Sequence, residues 1–214
     1  MSSSTLLRWS GLAAIVAGVL EALVAVLDFL LFPDNLARTS VVTMSTYQIL
    51  QAVTLAWQIL FLWALVGLYG RQSDKAGVLG FAGFLIFFVG YILIYSTQWG
   101  FFIFGPDLAR AAPTFLDSEI PSGVLGIVAH QFPFALAALG LILFAVASLR
   151  AKVFPRWAVV LLLVAQVVGG AGLFVGLGFL GGDVVFGAGI AWMGYALWAQ
   201  KRELAGQRAV TAAS

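Results

Sequence analysis

Cysteine is absent from this 214-residue chain, and histidine occurs once. The first absence excludes disulfides, thiolate nucleophiles and iron–sulfur ligation, and leaves the redox compartment unreadable. The second excludes a zinc cage and two-histidine haem ligation within one chain. Charge is scarce as well. Asp, Glu, Lys and Arg make up 9% of the residues, where a soluble domain carries about a quarter. So few charges cannot keep a folded surface in water. The net charge of +2 is too small for a nucleic-acid surface. No metal, cofactor or nucleotide motif stands in the chain, and no nucleophile–base pair is evident.

What is present is apolar. Hydrophobic residues are 62% of the chain and the mean hydropathy is +1.05. Seven Trp and eighteen Phe suit the same solvent, because aromatic belts sit at bilayer interfaces. A helix needs roughly 20 apolar residues to cross the hydrocarbon core. Six segments meet or approach that length: 8–32, 45–69, 77–104, 123–149, 156–180 and 184–200. Their breaks carry turn or charge signals at Pro33-Asp34-Asn35, Arg71 to Lys75, Gly105-Pro106-Asp107, Arg150 to Pro155 and Gly181-Gly182-Asp183. The first run is too long for the apolar core of a signal peptide and contains Glu21, so it reads as a span. The expected fold is an all-α polytopic bundle over residues 1–203, followed by a short polar tail over 204–214.

Orientation follows from Lys and Arg. Arg8, Arg71, Lys75, Arg150, Lys152, Arg156, Lys201, Arg202 and Arg208 fall on one side of a six-span chain. Only Arg38 and Arg110 fall on the other, which also collects Asp34, Asp107, Asp117, Glu119 and Asp183. Both termini are therefore expected in the cytoplasm. The external loop over 105–122 reads as a plain surface connection.

The polar residues inside the spans need explaining, since a charge at mid-bilayer costs on the order of 2.5–3.5 kcal/mol on insertion scales. Glu21 is near the middle of its span, and Asp28 follows two turns later on the same face. That face also holds Ser10, Ala14, Ala17, Gly18 and Ala25, whereas Leu12, Val16, Val19, Leu23 and Leu30 lie opposite. The acids thus ride on the side able to pack closely against a neighbour. Tyr47, Gln48, Gln51, Thr54 and Gln58 form one stripe of the second span, with Trp57 and Trp63 expected to point elsewhere. Tyr91, Tyr95 and Gln98 share a face of the third span. His130 lies in the fourth, three residues before Pro133, and Gln166 in the fifth. Counted along the helices, Asp28, Gln51, Gln98 and His130 are expected about 6–11 Å below the outer surface. Glu21, Gln58 and Gln166 are expected near the midplane. These seven residues are the candidate binding pocket. The glycines from Gly169 to Gly178 are expected to pack against Gly187 and Gly189 in a tight last hairpin.

The stretch Leu65-Val66-Gly67-Leu68-Tyr69-Gly70-Arg71 with Ala76 to Gly83, the pairs Pro106-Asp107 and Ala112-Pro113, and the run from Leu149 to Ala158 resemble a pattern of small bacterial six-helix membrane proteins of unknown function. The resemblance spans most of the chain. It implies a bacterial plasma-membrane location and six helices, and it carries over no site residues. The expected role is binding or transport of a small molecule, lipid or ion in an outward-facing polar pocket, with Glu21 as a proton- or cation-responsive group. Membrane lipids, a protein partner or further copies of the chain complete the expected partners. The alternative is an accessory subunit of a larger membrane complex. An intramembrane enzyme acting on lipid or quinone is the least supported class.

Overall fold

The computed structural model describes residues 3–33, 36–117, 128, 131–172, 174, 175, 177 and 179–213, with side chains described between residues 5 and 199. Seven helices occur among them: α1 (Ser3–Leu31), α2 (Arg38–Thr43), α3 (Ser45–Ala111), α4 (Pro113–Asp117), α5 (Phe132–Ala151), α6 (Arg156–Gly172) and α7 (Leu180–Ala213). No strand occurs among the described residues. Four helices are long and apolar enough to cross a membrane, over Thr5–Leu31, Ser45–Ala111, Phe132–Ala151 and Leu180–Ala199, while α6 is apolar but shorter.

Helix α3 has 67 residues. A straight helix of that length would run about 100 Å, over three times the hydrocarbon thickness. Instead the chain reverses at Gly77, whose φ of 58° and ψ of −160° suit glycine alone. No neighbouring atom would obstruct a side chain there, so the backbone and not packing requires glycine. The two arms lie antiparallel: Tyr69 stacks on Phe84 at 4.5 Å, and Trp57 meets Tyr95 edge-on at 5.9 Å.

Six helical arms result: α1, the two arms of α3, α5, α6 and α7. Their contacts close a ring in chain order, because α1 packs on both α3 and α7, α3 on α5, α5 on α6, and α6 on α7. Every neighbour is antiparallel. Small residues set the tightest seams. A Cβ on Gly11 would meet the Gly194 carbonyl at 3.0 Å, and one on Gly18 would strike that of Gly187. A Cβ on Gly90 would meet the Ala137 backbone at 2.5 Å, and one on Gly140 would strike Phe87. Glycines seven residues apart thus let backbones touch along whole helices, as close packing in a membrane requires. The face of α1 divides as its sequence implies: Ser10, Ala14, Ala17 and Gly18 are buried, and Leu12, Val16, Val19, Leu23 and Leu30 are exposed.

Several expected boundaries are corrected. Residues 71–76 are helical and not a loop, because Gly77 alone makes the reversal. Helix α3 continues through Pro106 to Ala111, where a break and a plain surface connection were expected. Pro106 forfeits one backbone bond, but the adjacent Gly105 is buried against Val42 of α2, which keeps this turn in place. Helix α6 ends at Gly172, eight residues early, and α7 begins at Leu180. Gly181 and Gly182 are therefore inside a helix: a Cβ on Gly182 would lie 2.6 Å from the Gly169 Cα. These glycines allow approach and do not break the chain. Gly187 faces Gly18 of α1 and not α6. Helix α7 also runs to Ala213, through the expected polar tail.

Candidate functional site

The ring encloses an interior of two unlike halves. Toward the end that carries Arg71 and Lys152, it is filled by Phe61, Phe87, Phe144, Leu65, Leu68, Leu141, Ile190 and Met193, all buried. Phe186 reaches across from α7 to Phe61 at 5.5 Å and to Tyr91 at 6.1 Å. Below this packing, Ser148 Oγ lies 2.6 Å from Gln72 Oε1, both residues being fully buried.

Toward the other end the interior opens into a cavity of about 320 Å³. All six arms contribute to its wall. Glu21 and Asp28 come from α1; Gln51, Thr54, Trp57 and Gln58 from the first arm of α3; Tyr91, Tyr95 and Gln98 from the second. Phe134 and Ala138 come from α5, Gln166 from α6 and Asp183 from α7. Six of the seven candidate residues thus line one space: Glu21, Asp28, Gln51, Gln58, Gln98 and Gln166. His130 lies outside the described residues. Pro133 itself sits in the first turn of α5, where a missing N–H forfeits nothing.

Within the cavity the Gln58 Nε2 donates to Gln98 Oε1. This bond joins the two arms of α3 across the cavity. Three polar atoms on the wall have no hydrogen-bond partner among the described protein atoms: Gln58 Oε1, Trp57 Nε1 and Tyr95 Oη. Their residues are only 1%, 5% and 6% exposed. A buried unpaired polar group of this kind costs about 1–3 kcal/mol. Glu21 and Asp183 stand close enough for their charges to repel, and Asp28 acts on Asp183 in the same sense. No ion pair links Glu21 or Asp183 to a basic side chain among the described residues.

Asp28 and Gln51 also line a second, wider space of about 810 Å³, formed with Phe32, Arg38, Tyr47, Phe101 and Asp117. This vestibule adjoins the cavity through those two shared residues. Its roof is the pair of short helices α2 and α4, joined where Asp117 accepts hydrogen bonds from the Thr39 backbone N–H at 3.0 Å and from Thr39 Oγ1 at 2.9 Å. Those bonds hold the Asp117 carboxyl below its ordinary value, with a smaller contribution from the positive charge of Arg38.

No known protein family, curated protein or solved structure matches the chain. Two residues of the wall escape a reading of the sequence. Asp183 looks like part of an external turn because two glycines precede it, yet the helix start at Leu180 carries it inward. Trp57, expected to point away from the polar stripe, is buried and lines the cavity. Its position directly before Gln58 places it only 100° around the helix from that stripe, and a ring as large as indole spans the difference. Among the described residues no three His, Cys, Asp or Glu side chains converge closely enough to hold a metal ion.

Proposed function

We propose that this chain is a six-span protein of the bacterial plasma membrane with both termini cytoplasmic, and that it binds or carries a small ligand in its outward-opening cavity. The observation that carries the reading is the convergence of polar side chains from five of the six arms on one space, three of whose lining residues carry a buried polar atom without a partner among the described protein atoms. Polar groups inside a bundle mark ligand or ion pathways, because only protein or water can satisfy them at that depth. Glu21 is the group expected to respond to a proton or cation.

The six-span count takes α6 as the one short crossing and treats the α3 hairpin as two. The basic residues at the Gly77 turn and around Lys152 support a cytoplasmic position for that end. An accessory subunit would present its polar and small residues outward to a partner. Here the outer surface carries Leu12, Val16, Trp63 and other large apolar side chains, which suits lipid.

A chain without cysteines makes the test direct. Gln51→Cys should react with a membrane-impermeant thiol reagent applied outside cells, whereas Val19→Cys on the exposed face of α1 should not. Thr114→Cys should label from outside and Asp74→Cys only after permeabilisation. An unreactive Gln51→Cys in a correctly oriented protein would remove the outward cavity from the reading. Labelling of both Thr114→Cys and Asp74→Cys on intact cells would refute the topology.

A further inference from the structure

The wall of the cavity is selective in charge. It holds three carboxyl groups, Glu21, Asp28 and Asp183, and no basic side chain among its described residues. Burying the charged forms of Glu21 and Asp183 without a cation is costly, because neither has a basic partner among the described residues. A cationic ligand supplies that partner. Arg38 is basic and lines the vestibule outside, but it lies beside Asp117, so the approach to the cavity is not a positive barrier.

A bare metal ion fits poorly. The acids share one space but do not converge as chelating ligands do, and hard cations take six or more oxygens at short range. The volume points the same way: about 320 Å³ is roughly ten times the share of one water molecule in the liquid, about 30 Å³. The space suits a molecule with a body. Trp57, Tyr91 and Tyr95 line it with their rings in successive edge-to-face contact at 5.9 and 5.1 Å. Aromatic walls beside carboxylates attract organic cations, through the ring quadrupole as well as through burial of apolar surface.

We infer that the cavity takes an organic cation, its charge against Glu21 and Asp183 and its body against Trp57, Tyr91 and Tyr95. This rests on the reading of the cavity as a ligand site and names the class of ligand. Charge-matched esters separate the two claims. Benzoylcholine is cationic, 3,3-dimethylbutyl benzoate is its neutral isostere, and 2-sulfoethyl benzoate is an anionic counterpart. Ala138→Cys, on the α5 wall of the otherwise cysteine-free full chain in nanodiscs, reports occupancy as protection from a small neutral maleimide.

Benzoylcholine should protect this cysteine at a concentration at least tenfold below its neutral isostere. Glu21→Gln and Asp183→Asn should each raise the half-protecting concentration of benzoylcholine about tenfold or more, and leave that of the neutral ester unchanged. The unchanged neutral ester shows that the cavity is still folded; if one variant does not fold, the other carries the test. Protection by the neutral or anionic ester equal to or better than that by benzoylcholine overturns the cationic class while leaving the ligand site standing. A cysteine that no ester protects, or that the maleimide cannot reach, overturns both.

Discussion

The two halves of the ring interior are built from the same six helices and solve opposite problems. In one half Phe61, Phe87, Phe144 and Phe186 interlock across the ring, and glycines draw the backbones close together. In the other the same helices continue outward with Glu21, Gln58, Gln98, Gln166 and Asp183, and a cavity stays open. The difference lies in side-chain size and polarity at successive turns and not in the backbone path. Apolar rings fill space in any orientation that packs. Carboxylates and amides need partners at set distances, and a wall carrying more polar atoms than it can pair holds room for something else. The closed half is thus built for packing, and the open half leaves polar side chains around a space.

That division can be broken from the closed side first. Phe61 touches Trp57, Phe87, Tyr91 and Phe186, so Phe61→Ala should show the largest loss, about 3–5 kcal/mol, read as thermal unfolding in detergent. It should also let an impermeant reagent applied outside reach a cysteine at Gln72, beneath the packed rings. Gly140→Val should follow. Its added methyls strike the Phe87 backbone, which cannot rotate away, and overpacking of this kind costs about 1–3 kcal/mol. The same assay should show a clear fall in midpoint, and Gly170→Val, where no atom lies within 4 Å of a Cβ, should show none attributable to contact.

On the open side the expected effects are smaller. Gln98→Leu removes the acceptor of the one bond between cavity glutamines, and intramembrane bonds of this type contribute about 0.6–2 kcal/mol. A loss above that range in the unfolding assay would mean that the open half is structural after all. The smallest effect belongs to the roof. The Asp117 carboxyl sits below its ordinary value of 3.8 because Thr39 bonds its charged form. Its contribution to docking α4 on α2 is therefore present above that value and lost as pH falls through the lower folded value. Cleavage of the α4 segment by an acid-active protease should increase only below about pH 4, and Asp117→Asn should show the increased cleavage at every pH.

The polar wall was legible where periodicity settled which way a side chain points. Glu21 and Asp28 share a face with Ala14, Ala17 and Gly18, and those small residues are buried because they permit contact that Leu and Val on the opposite face do not. Gln51, Gln58 and Gln166 followed from the same reasoning. Boundaries were not legible, because charge and glycine have two uses in a membrane helix. Arg71 to Lys75 read as a loop, yet they extend the helix past the last packed turn to Gly77. Gly181 and Gly182 read as a break, yet they bring α7 against Gly169, and Asp183 was displaced from the wall with them. Pro106 read as an end for a related reason, and the packing of Gly105 on Val42 overrides that signal.

Closure of the ring in chain order has a consequence for assembly. Each arm leaving the ribosome finds its predecessor as its neighbour, so five of the six seams join segments close in sequence and involve little loop entropy. The sixth, between α1 and α7, joins the first helix to the last. Until α7 is made, Gly11 and Gly18 lack the helix they pack on, and the acids of α1 lack the wall that completes their cavity. A chain arrested before residue 180 should thus be an open arc that a quality-control protease can distinguish from the finished protein, and synthesis of the final helix is the event that commits the molecule.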